Sequence, residues 1–565
     1  MHQSDYVKSL FGACQTGIIN GRLYISHAFQ PANEDHRGVI TQFAINGYFN
    51  SMKAWFNKLM GTYLSTKHKK LMEVRNEPYK TQKVILRNLL ETAARTEYGR
   101  RYGFGSIRKV SEYRQEVPLT DYEDLKDSIN RMMYGAKDVL WPGQVHWFAK
   151  SSGTTSARSK FIPIPNENLK GCHHKSSWDA LALLYHILPD APVFHRKSLV
   201  MGGSLSVFEG CPDTTYGDIS GIMLQHMPAV GRPFFTPDFE TALLDDWELK
   251  IERMVERCVP EDLGFFGGVP TWLIVLFKRI LEVTGKENML EVWPNLQAYT
   301  HGGVGFKPYR ETFEKFIPSP SFVYQEVYNA TEGFFAAQDQ LGTDDMLLLL
   351  DNGMFYEFLP LSELNSESPK VLPLKDVETH VVYALVISTN AGLWRYMPGD
   401  TIRFTSLSPH RIQVVGRTQQ FINAFGEEVM IDNAEKALAS ACRDHRALVA
   451  DFTIAPVFLD GARKGRHHWL VEFSKAPDNL EAFAETLDKN LQSVNSDYEA
   501  KRSYDLALEQ LELQVAPSGT FNNWLASKHK LGGQHKVPRL CNDRRYIDEI
   551  IELLKTHDHG SNGEI

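Results

Sequence analysis

The sequence predicts an α/β fold, with one large domain followed by a smaller α+β domain. Between residues 145 and 405, short apolar runs such as KSLVMGG and LGFFGG alternate with amphipathic helical segments such as WDALALLYHIL. After residue 416 the alternation starts again, with a helical DNAEKALASACRDH and a strand-like ALVADFTIAPVFL. The chain has 565 residues, of which 43% are hydrophobic. That length accommodates two or three domains of roughly 100 to 200 residues.

The pattern along the chain sets the order of the elements. Residues 1–47 lack helical or strand periodicity, and we expect either a poorly ordered extension or a stretch upstream of a start at Met52. Apolar residues three and four positions apart predict helices from residue 48 to about 102. Strands and helices then alternate through a large domain, 48–415, and a small domain, 416–565. The boundary falls in VVGRTQQFINAFGEEV, where glycines flank a polar turn.

Composition excludes several classes of protein. The chain has 61 Lys and Arg against 69 Asp and Glu, and its formal net charge of −8 would not attract nucleic acid. Its six cysteines contain no Cys-x-x-Cys pair, which favours reduced thiols in the cytoplasm over a disulfide framework or a zinc ribbon. No apolar run reaches the roughly 20 residues of a membrane-spanning helix. We expect a cytoplasmic monomer that binds neither nucleic acid nor membranes.

The stretch SSGTTSARSK, residues 151–160, combines small hydroxyl side chains with a glycine. Such a loop lets backbone N–H and side-chain O–H groups converge on a phosphate, because nothing bulky holds the anion away. The Walker pattern is absent, and FIPIP after the stretch predicts a strand rather than a helix. Taken alone, such a stretch is more often a solvated serine/threonine turn.

Three more segments follow strand-like runs, where ligand sites of α/β folds gather: HGGVGF at 301–306, YNATEG at 328–333 and WRYMPGD at 394–400. In YNATEG, the phenol suits stacking on a base and the Glu332 carboxylate suits a magnesium ion. Asp400 could accept hydrogen bonds from a ribose diol. The alternatives are a helix-start carboxylate for Glu332 and an ordinary turn aspartate for Asp400.

Together, these segments resemble the nucleotide motifs of the Gretchen Hagen three family of acyl acid amido synthetases. SSGTTSARSK is similar to the family's phosphate loop, YNATEG to its Y-x-[AS]-[TS]-E motif, and YMPGD to its Y-R-x-G-D motif. GTFNNWLASKHKLGGQHKVPRL, residues 519–540, resembles the C-terminal pattern, and GRTQQFINAFGEEV the hinge of the wider adenylate-forming enzymes. The resemblance implies a large adenylate-forming N-terminal domain, with β-sheets flanked by helices, and a small mobile C-terminal domain.

The resemblance also implies an activity and its residues. The chain would use ATP and Mg²⁺ to activate a small carboxylic acid as an acyl-adenylate, and then transfer the acyl group to an amino acid. Glu332 would hold the metal, and Lys536 would stabilise charge as pyrophosphate leaves. Thr331 would touch the α-phosphate, and Lys160 would lie at the rim. The remaining ATP-binding residues would be Ser151, Ser152, Gly153, Thr154, Thr155, Gly302, Gly303, Tyr328, Asp400 and Arg417.

Two positions depart from the family pattern. Plant members have an arginine after the tyrosine of the third motif, where this chain has Met397, and Arg395 is a candidate replacement. The hinge segment is lysine-rich in those members, whereas here it contains Glu427 and Glu428.

Two other functions stay open beside the amido synthetase. An acyl-CoA synthetase would share every nucleotide-binding residue and differ only in the acceptor. A degenerate nucleotide-binding protein is the other alternative, although Glu332, Asp400 and Lys536 are all present.

Two further segments could be mistaken for sites. In KGCHHKSSW, the adjacent Cys172, His173 and His174 diverge by about 100° on a helix, which suits no zinc site and predicts a partly exposed helix face. GGSLSVFEG, residues 202–210, could be a second phosphate loop, but we expect a plain loop or a wall of the acid pocket.

Overall fold

The computed structural model describes residues 17–19, 22–24, 37–152, 159–229, 231–306, 309–364, 366–418, 421–427, 429–459, 464–502, 508–528 and 537–560. The chain forms two compact units, Met1–Ala54 and Trp55–Ile565. In the first, strand β1 (Gly17–Ile19) pairs with β2 (Arg22–Tyr24) in antiparallel fashion, and a helix begins at Arg37. Strands of three residues are too short to show a recognisable alternation of apolar and polar residues in the sequence. That residues 1–47 form an atypical extension stays a prediction.

Helices cluster between residues 37 and 133 and recur between the strands that follow. Their bounds are Arg37–Val74, Pro78–Ala93, Glu97–Arg101, Val110–Glu116, Tyr122–Met133, Asn166–Asn168, Lys175–Ile187, Ile219–Gln225, Phe239–Ala242, Trp247–Cys258, Pro270–Thr284, Met289–Val292, Arg310–Phe316, Ile431–Asp444, Leu480–Val494, Ser496–Arg502, Thr520–Ser527 and Arg545–Gly560. A π-helical turn, Leu169–His174, leads into the helix that starts at Lys175. No described helix is long and apolar enough to cross a membrane.

The strands of the second unit are short and follow the apolar runs of the sequence. They are β3 (Trp147–Ser152), β4 (Ser159–Pro163), β5 (Lys197–Val200), β6 (Leu205–Val207), β7 (Thr215–Gly217), β8 (Phe235–Thr236), β9 (Leu263–Gly268), β10 (Ala298–His301), β11 (Val323–Ala330), β12 (Gly333–Ala337), β13 (Met346–Leu348), β14 (Met354–Pro360), β15 (Leu372–Pro373), β16 (Val382–Thr389), β17 (Asp400–Leu407), β18 (His410–Arg417), β19 (Phe421–Ile422), β20 (Val429–Met430), β21 (Leu448–Val457), β22 (Arg466–Lys475) and β23 (Glu512–Ala516).

The largest sheet has twelve strands in the order β15-β14-β16-β17-β18-β13-β12-β11-β10-β9-β5-β8. Neighbours from β8 to β11 are parallel, and those from β11 to β15 are antiparallel. A second sheet has the order β4-β3-β7-β6, with β3 and β7 parallel. Mixed sheets flanked by helices confirm the α/β prediction. The parallel strands bring several carboxyl ends to one edge.

A three-stranded sheet, β21-β22-β23, lies in the last part of the chain. The helices Ile431–Asp444 and Leu480–Val494 pack against each other beside it. One continuous hydrophobic core joins buried side chains of this region, such as Phe452 and Trp469, to Phe425 and to Phe266 of β9. Elements after residue 416 therefore share one hydrophobic core with the parallel part of the large sheet.

Candidate active site

The motif segments lie at strand ends, as the sequence predicts. HGGVGF starts in the last residue of β10, and YNATEG runs from the end of β11 into the hairpin that leads to β12. WRYMPGD connects β16 to β17, and Arg417 ends the antiparallel partner β18, where it is the register partner of Asp400. Gly302 must be a glycine, because a β-carbon there would lie 2.6 Å from the carbonyl oxygen of Val327 in β11.

Asp400 is held by two neighbours from different motifs. The Tyr328 hydroxyl donates a hydrogen bond of 2.6 Å to Asp400 Oδ2, and Arg417 Nε lies 3.1 Å from Oδ1. Burial and the adjacent carboxylate raise the pKa of Tyr328 well above its usual value, so the phenol keeps its proton. Each carboxylate oxygen can accept a second hydrogen bond. Asp400 is thus oriented with acceptor capacity left for a ligand.

Arg417 is fixed in turn by the loop before Asp400. Its guanidinium donates a 2.7 Å hydrogen bond to the carbonyl of Pro398. Gly399 has φ +98°, and a β-carbon there would lie 3.2 Å from the same guanidinium. The Pro-Gly turn therefore allows the arginine to lie across the start of β17.

Glu332 lies in the hairpin turn between β11 and β12, and only 5% of it is exposed. Thr331 donates its hydroxyl to Glu332 Oε2 at 2.8 Å. The alternative that Glu332 begins a helix is wrong, because the chain reverses here into an antiparallel strand.

Lys160 lies inside the site rather than at its rim, which corrects our expectation. It pairs in register with Ser151 across β3 and β4, is 6% exposed, and places its amine 6.0 Å from the ring centre of Tyr122. Burial lowers the pKa of Lys160, and the charge of Glu332 opposes that shift. Asp400 acts on it in the same direction as Glu332. Lys160 is thus a buried amine with two carboxylates of the candidate site among its charged neighbours.

Arg395 does not take over the role of the arginine that plant members have at the position of Met397. Its Nε donates to Glu357 Oε2 at 2.9 Å, and its Nη1 donates to the carbonyl oxygens of Arg114 and Val117. The guanidinium and its carboxylate partner are both buried. These contacts direct the side chain into the protein interior, so its role is structural.

Tyr396 lies in the third motif, but the sequence analysis assigned it no role in the site. It is fully buried, and its hydroxyl has no hydrogen-bond partner among the described residues. Glu332 and Arg417 are its charged neighbours. A buried hydroxyl without a partner is costly, and a bound ligand would supply one. Its place in the YMPGD motif was the available signal.

Some candidate residues lie outside the described part of the chain: Gly153, Thr154, Thr155, Glu428 and Lys536, together with the side chain of Ser152. Ser151 is described and half-buried, in the penultimate position of β3. The ATP-binding roles of the loop residues 151–155 and the catalytic role of Lys536 stay predictions.

The expectation of a partly exposed helix face is wrong for Cys172 and His173, whereas His174 is half-buried. Cys172 and His173 are buried in the π-helical turn, and the Cys172 thiol accepts a hydrogen bond from the Phe334 N–H at 3.4 Å. Burial raises the pKa of Cys172 to about 12 and lowers that of His173 to about 3, so both are neutral. Within the described ranges, no cluster of three His, Cys, Asp or Glu side chains could hold a metal.

Comparison with solved structures gives the same fold. The chain is 18% identical to the GH3.15 acyl acid amido synthetase, with a TM-score of 0.56 over 86% of this chain and 96% of that one. A 2-hydroxyisobutyryl-CoA ligase is 13% identical, with a TM-score of 0.51 over 84% of this chain and 92% of that one. Both likenesses concern the fold.

Comparison of sequences extends over most of the chain. It is 23% identical to the indole-3-acetic acid-amido synthetase GH3.3 of Arabidopsis thaliana, covering 84% of this chain and 92% of that protein. It is 22% identical to the jasmonoyl-L-amino acid synthetase GH3.5 of Oryza sativa subsp. japonica, covering 84% and 94%. The GH3 family N-terminal domain matches residues 67–248 and 212–322, the central domain 347–417 and the C-terminal domain 432–545. Since all three domains match in order, this chain belongs to the GH3 family.

Proposed function

We propose that this protein is an ATP-dependent ligase that joins a small carboxylic acid to an amino acid through an acyl-adenylate. The observation that carries the proposal is the contact of Tyr328 and Arg417 with Asp400, which brings two motifs to one carboxylate. The buried Lys160 has Asp400 and the buried Glu332 among its charged neighbours. The relatives named above support the choice of amide product.

In this proposal, each strand-end loop binds a different group of the nucleotide. Asp400 binds the ribose hydroxyls, Arg417 holds Asp400 in place, and the Tyr328 ring lies against adenine beside Gly302 and Gly303. Thr331 contacts the α-phosphate. The loop from Ser151 to Thr155 cradles the phosphates, with Lys160 as a charged neighbour.

The residues present fit a magnesium ion. Mg²⁺ usually binds proteins through one or two carboxylates together with substrate phosphates. Glu332 offers a buried carboxylate within reach of a hydroxyl and a lysine. When bound, the ion would neutralise phosphate charge.

The first step forms a bond between an acid oxygen and the α-phosphorus of ATP and breaks the bond to pyrophosphate. Negative charge gathers on the phosphate oxygens, so preorganised cations lower the barrier. Lys160 and Lys536 are the chain's candidates for this role. In the second step an amine displaces AMP from the acyl carbon.

We also propose the division into a large domain, 48–415, and a small domain, 416–565. The small domain would carry Lys536 to the site. We expect a monomer that acts in the cytoplasm. The second candidate function, an acyl-CoA synthetase, would use the same nucleotide site with a thiol acceptor.

ATP–pyrophosphate exchange over a panel of aryl and alkyl carboxylic acids tests the proposal. We expect exchange with at least one acid, and Asp400→Ala should raise the KM for ATP roughly tenfold or more, since hydrogen bonds to a charged acceptor contribute about 1.5–3 kcal/mol each. Asp213→Ala, at an exposed aspartate, is the control. Absence of exchange with every acid would refute adenylation. Product formed only with coenzyme A would favour the thioester ligase.

A further inference from the structure

Asp218 lies at the strand edge where the phosphate loop begins, although no motif includes it. Strands β3 and β7 run parallel, with Ala149 opposite Gly217. Asp218 therefore follows β7 just as Lys150 and Ser151 continue β3. The carboxyl ends of neighbouring parallel strands are a usual place for ligand-binding groups.

Among the described residues, one backbone hydrogen bond holds the Asp218 side chain. Its Oδ2 accepts a hydrogen bond of 3.1 Å from the Ser204 N–H, and it makes no side-chain cap for the helix Ile219–Gln225. A β-carbon on Gly203 would lie 1.8 Å from Oδ2, so only glycine lets the GGSLS segment pass so close. This segment is thus the wall of a carboxylate site rather than a phosphate loop.

Asp218 has three lysines from three elements among its charged neighbours. Burial raises its pKa, and the charges of Lys501, Lys150 and Lys250 oppose that shift. None of the three described amines forms a direct ion pair with it. Lys250 is engaged elsewhere, because its amine donates to the Gly202 carbonyl at 2.9 Å.

Lys501 reaches this place from the last turn of the helix Ser496–Arg502. Its amine lies 4.7 Å from the ring centre of Trp272. Asp497, Asp218 and Glu427 are its charged neighbours. Glu427 is already bound, since it accepts hydrogen bonds from two backbone N–H groups and lies 2.9 Å from His467 Nε2. Among the described residues the Lys501 amine forms no direct ion pair, with Asp497 or with the other two carboxylates, so it has capacity to bind an added carboxylate.

Trp272 supplies a second donor at the same place. Its indole Nε1 is buried and has no hydrogen-bond partner among the described residues. A buried N–H normally donates to an acceptor, and an atom of a bound ligand could accept this hydrogen bond. An ammonium 4.7 Å from the indole ring centre and a buried indole N–H can both donate to a carboxylate, and Asp218 matches an ammonium.

We propose that Asp218, Lys501 and Trp272 bind the acceptor amino acid: Asp218 receives its ammonium group and accepts a proton from it, and Lys501 and the indole N–H bind its carboxylate. The freed amine attacks the acyl carbon, a C–N bond forms, and the C–O bond to AMP breaks with its electron pair leaving on AMP. The nitrogen then loses a second proton to solvent. This assignment rests on the proposed ligase function and adds the acceptor site to it.

The test separates the two half-reactions with the acid found by pyrophosphate exchange. Asp218→Asn, Lys501→Met and Trp272→Phe are compared with the exposed-site controls Asp213→Asn and Lys475→Met. Exchange, and trapping of the adenylate by hydroxylamine, report adenylation and folding. Hydroxylamine is neutral and carries no carboxylate, so it bypasses all three side chains. Amide formation is measured with the twenty common amino acids and with their decarboxylated amines.

For Asp218→Asn, we expect unchanged exchange and hydroxamate formation, with kcat/KM for amide formation lowered about 100-fold, as for loss of a general base. Lys501→Met should raise the KM for the amino acid about tenfold, and Trp272→Phe should raise it less. Neither variant should change the KM for the decarboxylated amines, because these have no carboxylate to bind.

Three results would overturn the inference: equal losses with hydroxylamine and amino acids in any of the three variants, equal rises in KM for amines and amino acids in Lys501→Met, or wild-type transfer to coenzyme A alone. Wild-type protein without any exchange would instead refute the proposed function itself.

Discussion

The buried ion pair between Glu357 and Arg395 should be a principal support of the segment that leads to Asp400. Arg395 Nε and Nη2 donate to the two Glu357 oxygens at 2.9 and 3.2 Å, and Arg114 Nε lies 3.2 Å from Oε1. Only 1% of the Glu357 side chain and 6% of the Arg395 side chain are exposed. Glu357→Gln keeps the shape of the side chain and leaves the buried guanidinium without its charge partner.

We expect Glu357→Gln to lower the free energy of unfolding by about 3–5 kcal/mol, because breaking a buried pair leaves an uncompensated charge. The matched control is Glu91→Gln, which removes the exposed pair with Arg87, 3.9 Å apart. Exposed pairs contribute roughly 0–1 kcal/mol.

Urea unfolding followed by tryptophan fluorescence, with the midpoint compared at equal slope, measures both changes. If Glu357→Gln shifts the midpoint no more than Glu91→Gln, the structural role of Arg395 is refuted. A raised KM for ATP without any loss of stability would instead assign Arg395 to the nucleotide.

Other predictions follow from single contacts. Tyr328→Phe removes the hydroxyl that donates to Asp400, and we expect the KM for ATP in pyrophosphate exchange to rise by about tenfold, since a hydrogen bond to a charged group contributes about 1.5–3 kcal/mol. An unchanged KM would show that Asp400 needs no support from the phenol. Gly302→Ala should abolish exchange or unfold the protein, because its β-carbon meets the β11 backbone at 2.6 Å, and a fully active variant contradicts this. Burial lowers the pKa values of His173 and His301 to about 3. Both are neutral when folded and protonated when unfolded below their ordinary pKa of about 6.5, so stability should fall as pH drops below that value, by up to about 1.4 kcal/mol per pH unit for each. Replacing His301 by Gln should make the urea midpoint less dependent on pH between 6.5 and 4; an identical dependence would contradict it.

Much of the site could be read from the sequence because its signals are local. Glycines, hydroxyls and acidic residues at the ends of apolar runs mark strand-end loops wherever the strands finally lie. The alternation of strands and helices, the strand after SSGTTSARSK and the segments that carry Gly302, Glu332 and Asp400 were all available without coordinates.

The sequence does not show which residues contact each other in the folded protein. Lys160 was expected at the rim, yet its neighbours in the sheet bury it, and Arg395 was a candidate for the nucleotide until Glu357 was found beside it. Cys172 and His173 adjoin polar residues in sequence and nevertheless lie in the core. In each case burial depends on which distant strand or helix covers the residue, and a periodic pattern does not contain that information.

The amino acid sequence by itself determined the α/β class, the order of the motifs and the kinship, since each of these rests on residues near one another in the chain. Tertiary structure alone decided which charges meet. Asp218, Trp272 and Lys501 belong to three separate elements that share no motif. The physical reason is that electrostatic and hydrogen-bonding partners are set by distance and burial in the folded state, which close packing of remote segments creates.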